Sequence, residues 1–290
     1  MIPAAFDYHA PRTLQEAIRL LRQHGDRAKV LSGGQSLLPL LKLRLAYTTQ
    51  LVDIGRIPNL AYINEEGGFL RIGAATREAD LERSELVRRK FPILYDTALV
   101  IADPLVRNRA TVGGNLAHGD PANDHPATML ALGAEIVAWG PKGERTIAIA
   151  DFFKDVFETA LAPDEILTEI RIPVPPAGSG GAYLKLERKV GDYAAAGAAA
   201  QVTLATNAAI QRAAIALTNA GPTPVKATRA EEFLKGKKPS DEVLGEAGRL
   251  AAEAGSPSAD WRGAVDYKRE MARVLTTRAL ARAVERAGGK

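Results

Sequence analysis

Two Gly-Gly pairs constrain this chain more than any other feature. The first lies in Leu31-Ser32-Gly33-Gly34-Gln35-Ser36, which runs into an apolar stretch ending near Lys42. The second lies in Thr111-Val112-Gly113-Gly114-Asn115 and is followed by Gly119-Asp120-Pro121-Ala122-Asn123-Asp124. Each pair follows a small hydroxyl residue, Ser32 or Thr111, and precedes an amide, Gln35 or Asn115. Without Cβ atoms, neighbouring backbone N–H groups can turn into one concavity, and such a concavity accepts phosphate oxygens. Two of them facing one another would hold a pyrophosphate, which points to a dinucleotide cofactor. Neither stretch is the G-x-G-x-x-G of a Rossmann turn, and neither continues into the Gly-Lys-Ser/Thr of a P-loop.

The pattern around the pairs alternates helix and strand. Thr13-Leu14-Gln15-Glu16 is a capping box opening a helix that Gly25 stops. A strand over 28–31 runs into the first glycine turn. An apolar helix follows over 36–45, with Pro39 in its first turn, and then a strand over 50–54. Further on, 70–73 reads as a strand, Thr76 as the cap of a short helix, 84–101 as a longer helical region despite Pro92, and 127–132 as a short helix. Strands over 134–139 and 144–149 flank the hairpin signal Gly140-Pro141-Lys142-Gly143, and 166–172 is another strand. Pro173-Val174-Pro175-Pro176-Ala177-Gly178-Ser179-Gly180-Gly181 is the clearest breaker cluster, so a domain boundary belongs there. Beyond it, 182–188, 197–204 and 209–217 read as strands, and the chain turns alanine-rich and helical from Ser240.

Composition narrows the class. At 290 residues, 46% hydrophobic and 25% charged, the chain has the make-up of an ordinary globular protein. A formal charge of +4, without a dense basic run interleaved with aromatics, argues against a nucleic-acid binder. Cysteine is absent, which excludes thiolate ligation of an iron–sulfur cluster, disulfides and a thiol nucleophile on this polypeptide. No apolar run reaches membrane-spanning length and no signal-peptide pattern opens the chain, so cytoplasmic residence is the expectation, with peripheral attachment of a larger complex at the inner membrane as a further option.

Taken together, the motifs resemble the FAD-binding medium subunits of the molybdenum hydroxylase family, which includes carbon monoxide dehydrogenase and xanthine dehydrogenase. Ser32-Gly33-Gly34-Gln35-Ser36-Leu37-Leu38-Pro39 with Lys42 and Arg44 is similar to the family's first flavin motif. Ile101-Ala102-Asp103-Pro104 through Thr111-Val112-Gly113-Gly114-Asn115-Leu116-Ala117 and Asp120-Pro121-Ala122-Asn123-Asp124 is similar to the second. Glu165-Ile166-Leu167-Thr168-Glu169-Ile170, Arg188-Lys189-Val190-Gly191-Asp192-Tyr193-Ala194 and Leu217-Thr218-Asn219 look like further landmarks. The resemblance covers nearly the whole chain, with spacing closest to the carbon monoxide dehydrogenase branch. Gln35 departs from it, since His is common there.

The resemblance implies an α+β fold. A two-lobed, PCMH-like FAD-binding domain would occupy 1–177, with lobes of about 1–55 and 56–177. A small C-terminal domain with an antiparallel sheet and helices would occupy 178–290. It implies that Ser32, Gly33, Gly34, Gln35 and Ser36 hold the FAD pyrophosphate from one side, with Lys42 nearby, and Thr111, Gly113, Gly114 and Asn115 from the other. Asp124 would meet the ribityl chain or ribose. Ile101, Ala102 and Leu167 would line the cleft, and Lys189 and Tyr193 would approach the isoalloxazine. The function implied is electron transfer from [2Fe–2S] clusters to an external acceptor. A small iron–sulfur subunit and a large subunit with the molybdenum cofactor would be the partners, as a dimer of heterotrimers. No catalytic acid, base or nucleophile is assigned to this chain.

Other readings stay open at this point. A self-sufficient FAD-dependent oxidase would need a residue for covalent flavin attachment, for which His118 is the candidate. An assembly module that had lost its flavin would not need intact glycine loops. Tyr193 read alone could be a core aromatic. His118 and His125 flank Asp120 and Asp124, but the loop implies no ligand geometry and no metal is assigned. Arg278, Arg282 and Arg286 recur every four residues on the last helix, either as a solvated face or as a docking stripe for a partner or an anionic surface.

Overall fold

The computed structural model describes residues 2–288, so the expected domain ends at 1 and 290 lie outside the described residues. The first lobe is a parallel sheet of β1 (Asp7–His9), β2 (Ala28–Leu31) and β3 (Gln50–Asp53) in the order β1-β3-β2. Helix α1 (Leu14–His24) connects β1 to β2. The Thr13 hydroxyl accepts the Glu16 N–H at 3.1 Å, while the Glu16 carboxylate reaches the Arg12 N–H one residue before the cap. The strand β1 carries no alternating apolar pattern and was not foreseen. Side-chain hydrogen bonds of Gln50 to Asp7 and His9, each 2.7 Å, hold it to β3. Helix α2 (Leu37–Leu43) begins where the first glycine loop ends, with Pro39 in its first turn, and Arg44 stops it in a left-handed conformation.

The second lobe starts with β4 (Ile63–Glu66) and β5 (Phe69–Gly73). Helix α3 (Glu78–Arg83) follows. Its cap is Arg77 rather than the expected Thr76, whose hydroxyl is committed to the Tyr62 carbonyl at 3.0 Å. The helical region expected over 84–101 is two helices, α4 (Glu85–Lys90) and α5 (Pro92–Val100). Pro92 lacks an N–H and pushes Phe91 out of helical space, so it opens α5 instead of interrupting one long helix. Short helix α6 (Pro104–Arg107) precedes the second glycine motif, whose Gly113-Gly114 pair lies in the first turn of α7 (Val112–His118). Helix α8 (Asp124–Leu132) starts three residues earlier than expected, because Pro126 fits its first turn. The hairpin β6 (Glu135–Gly140) and β7 (Gly143–Ala148) is followed by α9 (Ile149–Phe152), the small pair β8 (Phe153–Asp155) and β9 (Glu158–Thr159), and β10 (Ile166–Pro173). These strands form an antiparallel sheet in the order β4-β5-β10-β6-β7, with β8 and β9 pairing separately.

A second antiparallel sheet, β11 (Ser179–Leu186), β12 (Ala196–Leu204), β13 (Ile210–Thr218) and β14 (Val225–Lys226), is paired in chain order. Helices α10 (Thr228–Leu234), α11 (Asp241–Ala254) and α12 (Val265–Arg286) follow it. One face of this sheet packs on α10–α12. Its other face contributes Tyr183, Ala199 and Ala216 to the same core as Leu70, Leu94, Leu116 and Ile170 of the second lobe. Strand β11 begins inside the breaker cluster. A Cβ on Gly180 would overlap the backbone of Ala283 and Arg286, so this glycine permits close approach of α12 and does not serve a turn.

The arginine stripe on α12 has a role that neither expectation gave it. Arg286 grips Asp96 of α5 with two hydrogen bonds, 2.6 and 2.9 Å, and also donates to the Gly181 carbonyl at 2.6 Å. Arg282 approaches the same carboxylate at 3.4 Å, whereas Arg278 is exposed. Asp96 is nearly buried, so the pair clamps the last helix onto the second lobe. Asp96→Ala should lower the unfolding free energy by about 1.5–3 kcal/mol, the range for hydrogen bonds to a charged group. Arg278→Ala should stay within about 0.5 kcal/mol of the parent. Urea denaturation of the two purified variants checks both.

Candidate cofactor-binding site

The two glycine loops meet edge to edge. A Cβ on Gly33 would overlap the Arg109 carbonyl and stand 2.8 Å from the Ala110 Cα and 3.0 Å from the Thr111 nitrogen. The Ser32 and Thr111 hydroxyls lie 3.0 Å apart in a hydrogen bond across the junction. Gly113 packs as closely on Ala74, with a Cβ 2.5 Å from the Ala74 methyl. Only Gly34 of the four glycines has a positive φ, 78°. Close approach, more than turn geometry, is therefore what these positions demand.

The loops differ in the donors they offer. In the second loop the backbone N–H groups are already committed. Val112 donates to Thr76, Gly113 to Ala74, Gly114 to the Thr111 hydroxyl at 3.2 Å and Asn115 to the Thr111 carbonyl. This corrects the expectation of two equivalent backbone cradles. The cause is that Thr111 caps α7. In the first loop, the N–H groups of Gly33, Gly34, Gln35 and Ser36 make no hydrogen bond within the described residues. The second loop instead presents side chains. The Asn115 Oδ1 atom is buried and lacks a partner, while Asn123 holds the Asn115 backbone carbonyl at 2.9 Å.

Together these loops form one wall of a cleft of about 1000 Å³ between the lobes and the C-terminal sheet. Ile101 and Ala102 form a second wall. Ala102 is held in a left-handed conformation, φ 46°. The buried Arg107 guanidinium fixes this turn, donating to the Ile101 carbonyl at 3.0 Å, the Ala102 carbonyl at 3.2 Å and Glu82 at 2.9 Å. Gly191, at φ 86°, lies against Ala102 where a Cβ would be 3.2 Å from its carbonyl carbon. Tyr193 follows, 40% exposed, its phenol beside Ser36 of the first loop, and burial of the ring raises its pKa. Leu167, Ile166, Leu161 and Glu165 also line the cleft.

On the cleft floor, Asp124 is buried. Its two oxygens accept from the Tyr183 hydroxyl at 2.7 Å and the Lys185 ammonium at 2.9 Å. Burial pushes its carboxyl up, against the pull of Lys185 and Tyr183. Lys185 also donates to the Val100 carbonyl at 2.9 Å. His118 lines the cleft next to Phe157, and burial holds its imidazole below the ordinary value. His125 lies beneath the second loop, fully buried, 2.8 Å from Glu78.

Most of the expected site residues converge here. Ser32, Gly33, Gly34, Gln35, Ser36, Ile101, Ala102, Thr111, Gly113, Gly114, Asn115, Asp124, Leu167 and Tyr193 all line the cleft. Lys42 and Lys189 do not. Lys42 sits on the exposed side of α2, and Lys189 projects into solvent from the turn after β11. Lys185 and Arg107 were missed. The signal for Lys185 was its alternation with Tyr183 on one face of a strand, and for Arg107 its place between two cleft segments.

Residues 4–175 match the FAD binding domain in molybdopterin dehydrogenase, and residues 181–283 match the CO dehydrogenase flavoprotein C-terminal domain. The chain is 45% identical over 287 residues to the carbon monoxide dehydrogenase medium chain of Afipia carboxidovorans, covering 99% of each. It overlays a chain of the carbon monoxide dehydrogenase from Hydrogenophaga pseudoflava, in a form lacking the Mo-pyranopterin moiety of its cofactor, with TM-score 0.96 and 46% identity over 99% of both. It overlays a chain of quinoline 2-oxidoreductase from Pseudomonas putida 86 with TM-score 0.93 and 34% identity, again over 99% of both. The unbonded N–H groups of the first loop, the orphaned Asn115 oxygen and the size of the cleft fit the dinucleotide that this family binds. The chain belongs to the FAD-binding flavoprotein subunits of the molybdopterin dehydrogenases.

Proposed function

We propose that this chain is the electron-transferring FAD subunit of a molybdenum hydroxylase complex of the carbon monoxide dehydrogenase type. The observation that carries the reading is the junction of the two glycine loops over a dinucleotide-sized cleft. FAD supplies the ability to take electrons singly from [2Fe–2S] clusters and release them in pairs to an external acceptor. The chain's own residues bind and orient. Gly33 to Ser36 offer backbone donors to the pyrophosphate. Asn115 and the Ser32–Thr111 hydroxyls flank it. Asp124, whose oxygens keep spare lone pairs, meets the ribityl or ribose hydroxyls, and Tyr193 covers the ring.

Residues 1–177 form the FAD-binding domain in this reading, and 178–290 the domain that closes the cleft from the other side. A small iron–sulfur subunit and a large molybdenum subunit are the partners, as a dimer of heterotrimers in the cytoplasm. No helix among the described residues is long and apolar enough to cross a membrane. Substrate choice lies off this chain. Chains of a carbon monoxide dehydrogenase and of a quinoline 2-oxidoreductase share its fold along 99% of its length.

The complex should release FAD, not FMN, on denaturation, read by chromatography of the supernatant. FMN alone, or tightly held NAD in place of flavin, overturns the reading. Gly33→Ala should abolish flavin retention by forcing the loops apart, whereas Gln35→Ala should cost about 0.5–1.5 kcal/mol of binding, one ordinary hydrogen bond. Flavin content of the folded variants measures this. Without this chain, the partners should still be reduced by substrate but should fail to reduce the flavin's acceptor. Stopped-flow spectra with and without it separate the two half-reactions.

A further inference from the structure

Arg107 is only 7% exposed, yet it is not itself part of the cleft lining. Its guanidinium reaches back from α6 to the turn before that helix, donating to the Ile101 carbonyl at 3.0 Å and the Ala102 carbonyl at 3.2 Å. Among the described residues no other group donates to either carbonyl. The Arg107 Nε atom donates to Glu82 of α3 at 2.9 Å, which fixes the guanidinium from behind. Ala102 needs this support. Its φ of 46° is left-handed, and alanine has no side-chain oxygen to stabilise that conformation locally, as asparagine does. Gly191 rests on the same peptide, where a Cβ would come 3.2 Å from the Ala102 carbonyl carbon and 3.5 Å from the Asp103 nitrogen. One strained turn thus forms the Ile101–Ala102 wall of the cleft and also seats the segment that leads to Tyr193.

We propose that Arg107 is a positioning residue for the cofactor: it holds Ala102 in the left-handed conformation, and so keeps the Ile101–Ala102 wall and the Gly191 seat in the arrangement that receives FAD. The inference rests on the reading of the chain as an FAD subunit. With both carbonyls unpartnered, the turn would gain by rotating Ala102 to negative φ, where an L-residue is unstrained. That rotation swings the peptide on which Gly191 rests, so the wall and the segment seated on it would shift together. Part of the binding energy of FAD would then go into reordering them. Arg107 acts through the backbone and needs no contact with the cofactor. A guanidinium suits the task, because its planar fork reaches two adjacent carbonyls and a carboxylate at once, whereas an ammonium is a point charge on a flexible stem. Glycine occupies left-handed space without strain, so the dependence on Arg107 should vanish once position 102 carries no Cβ.

The assembled complex carries the test, as a cycle of substitutions at the two positions. The dissociation constant of FAD is measured from the fluorescence of released flavin for the parent, Arg107→Lys, Ala102→Gly and the double variant. Arg107→Lys should weaken FAD about tenfold in the parent background, the scale of one hydrogen bond to a charged group, and about twofold or less in the Ala102→Gly background. An arginine that only braced α6 against α3 would cost the same in both backgrounds, and equal costs overturn the proposal. Parent-like FAD affinity in Arg107→Lys overturns it as well. If Arg107→Lys does not assemble, Glu82→Gln replaces it, because that change frees the guanidinium without emptying its buried place. A loss of affinity that Ala102→Gly abolishes then supports the proposal, and a loss equal in both backgrounds, or no loss, overturns it. A parent complex that holds no flavin removes the functional reading itself before any substitution is compared, a result separate from either.

Discussion

The cleft exists because two stretches of backbone from different lobes touch without side chains between them. Gly33 lies on the 109–111 backbone so closely that one added carbon would part them. The Ser32–Thr111 hydrogen bond locks the same junction. The wall formed by the two glycine motifs is positioned by this contact. The first lobe also shares a core with Ile166 of the second, among residues such as Ile18, Val52 and Ile54, so the junction sits on packed elements and not on free loops. Close packing of this kind transmits a small displacement to the whole wall.

A second set of contacts determines how the C-terminal sheet closes the cleft. Tyr183 and Lys185, two residues apart on β11, both reach the single carboxylate of Asp124. At the other end of the same strand, Arg286 of α12 holds both Asp96 and the Gly181 carbonyl. Strand β11 is thus pinned by ionic hydrogen bonds at two points along its length. Each carboxylate is nearly buried and each is paired, which is the condition under which buried charge is tolerated. Residues 4–175 and 181–283 match separate family models, yet they share a core, since Tyr183, Ala199 and Ala216 pack with residues of the second lobe.

The glycine loops, the helix–strand alternation around them and the composition break near 173–181 were legible because each rests on local chemistry. Glycine, proline and capping residues act within a few positions. What the sequence did not disclose depends on partners distant along the chain. The strand β1 is held by Gln50, far along the chain, and has no pattern of its own. The arginine stripe on α12 looked like surface because its partner, Asp96, lies 190 positions away. Lys185 and Lys189 are both lysines beside one motif. Only the extent of β11 separates them: Lys185 lies in the paired strand and turns inward to Asp124, whereas Lys189 falls in the exposed turn after it. The helix break at Pro92 was readable in principle, since proline at a first helical position is a start signal as much as an interruption.

The charge of the cleft explains why so much depends on backbone geometry. Among the described residues, Lys29 and Lys185 are the only lysine or arginine side chains lining it, and burial keeps His118 below its ordinary pKa. Lys29 is exposed on β2, and Lys185 is engaged with Asp124. A pyrophosphate here cannot be held by a guanidinium clamp. In the proposed reading its oxygens would be met by the N–H dipoles of the first loop and by neutral side chains such as Ser32 and Asn115. Dipoles fall off faster with distance than full charges, so a small displacement of the loop forfeits most of the attraction. That is the physical reason for glycine at position 33. It keeps the first loop seated on the second, and the seat holds the donors at working distance. Gln35, also neutral, lines the cleft beside them.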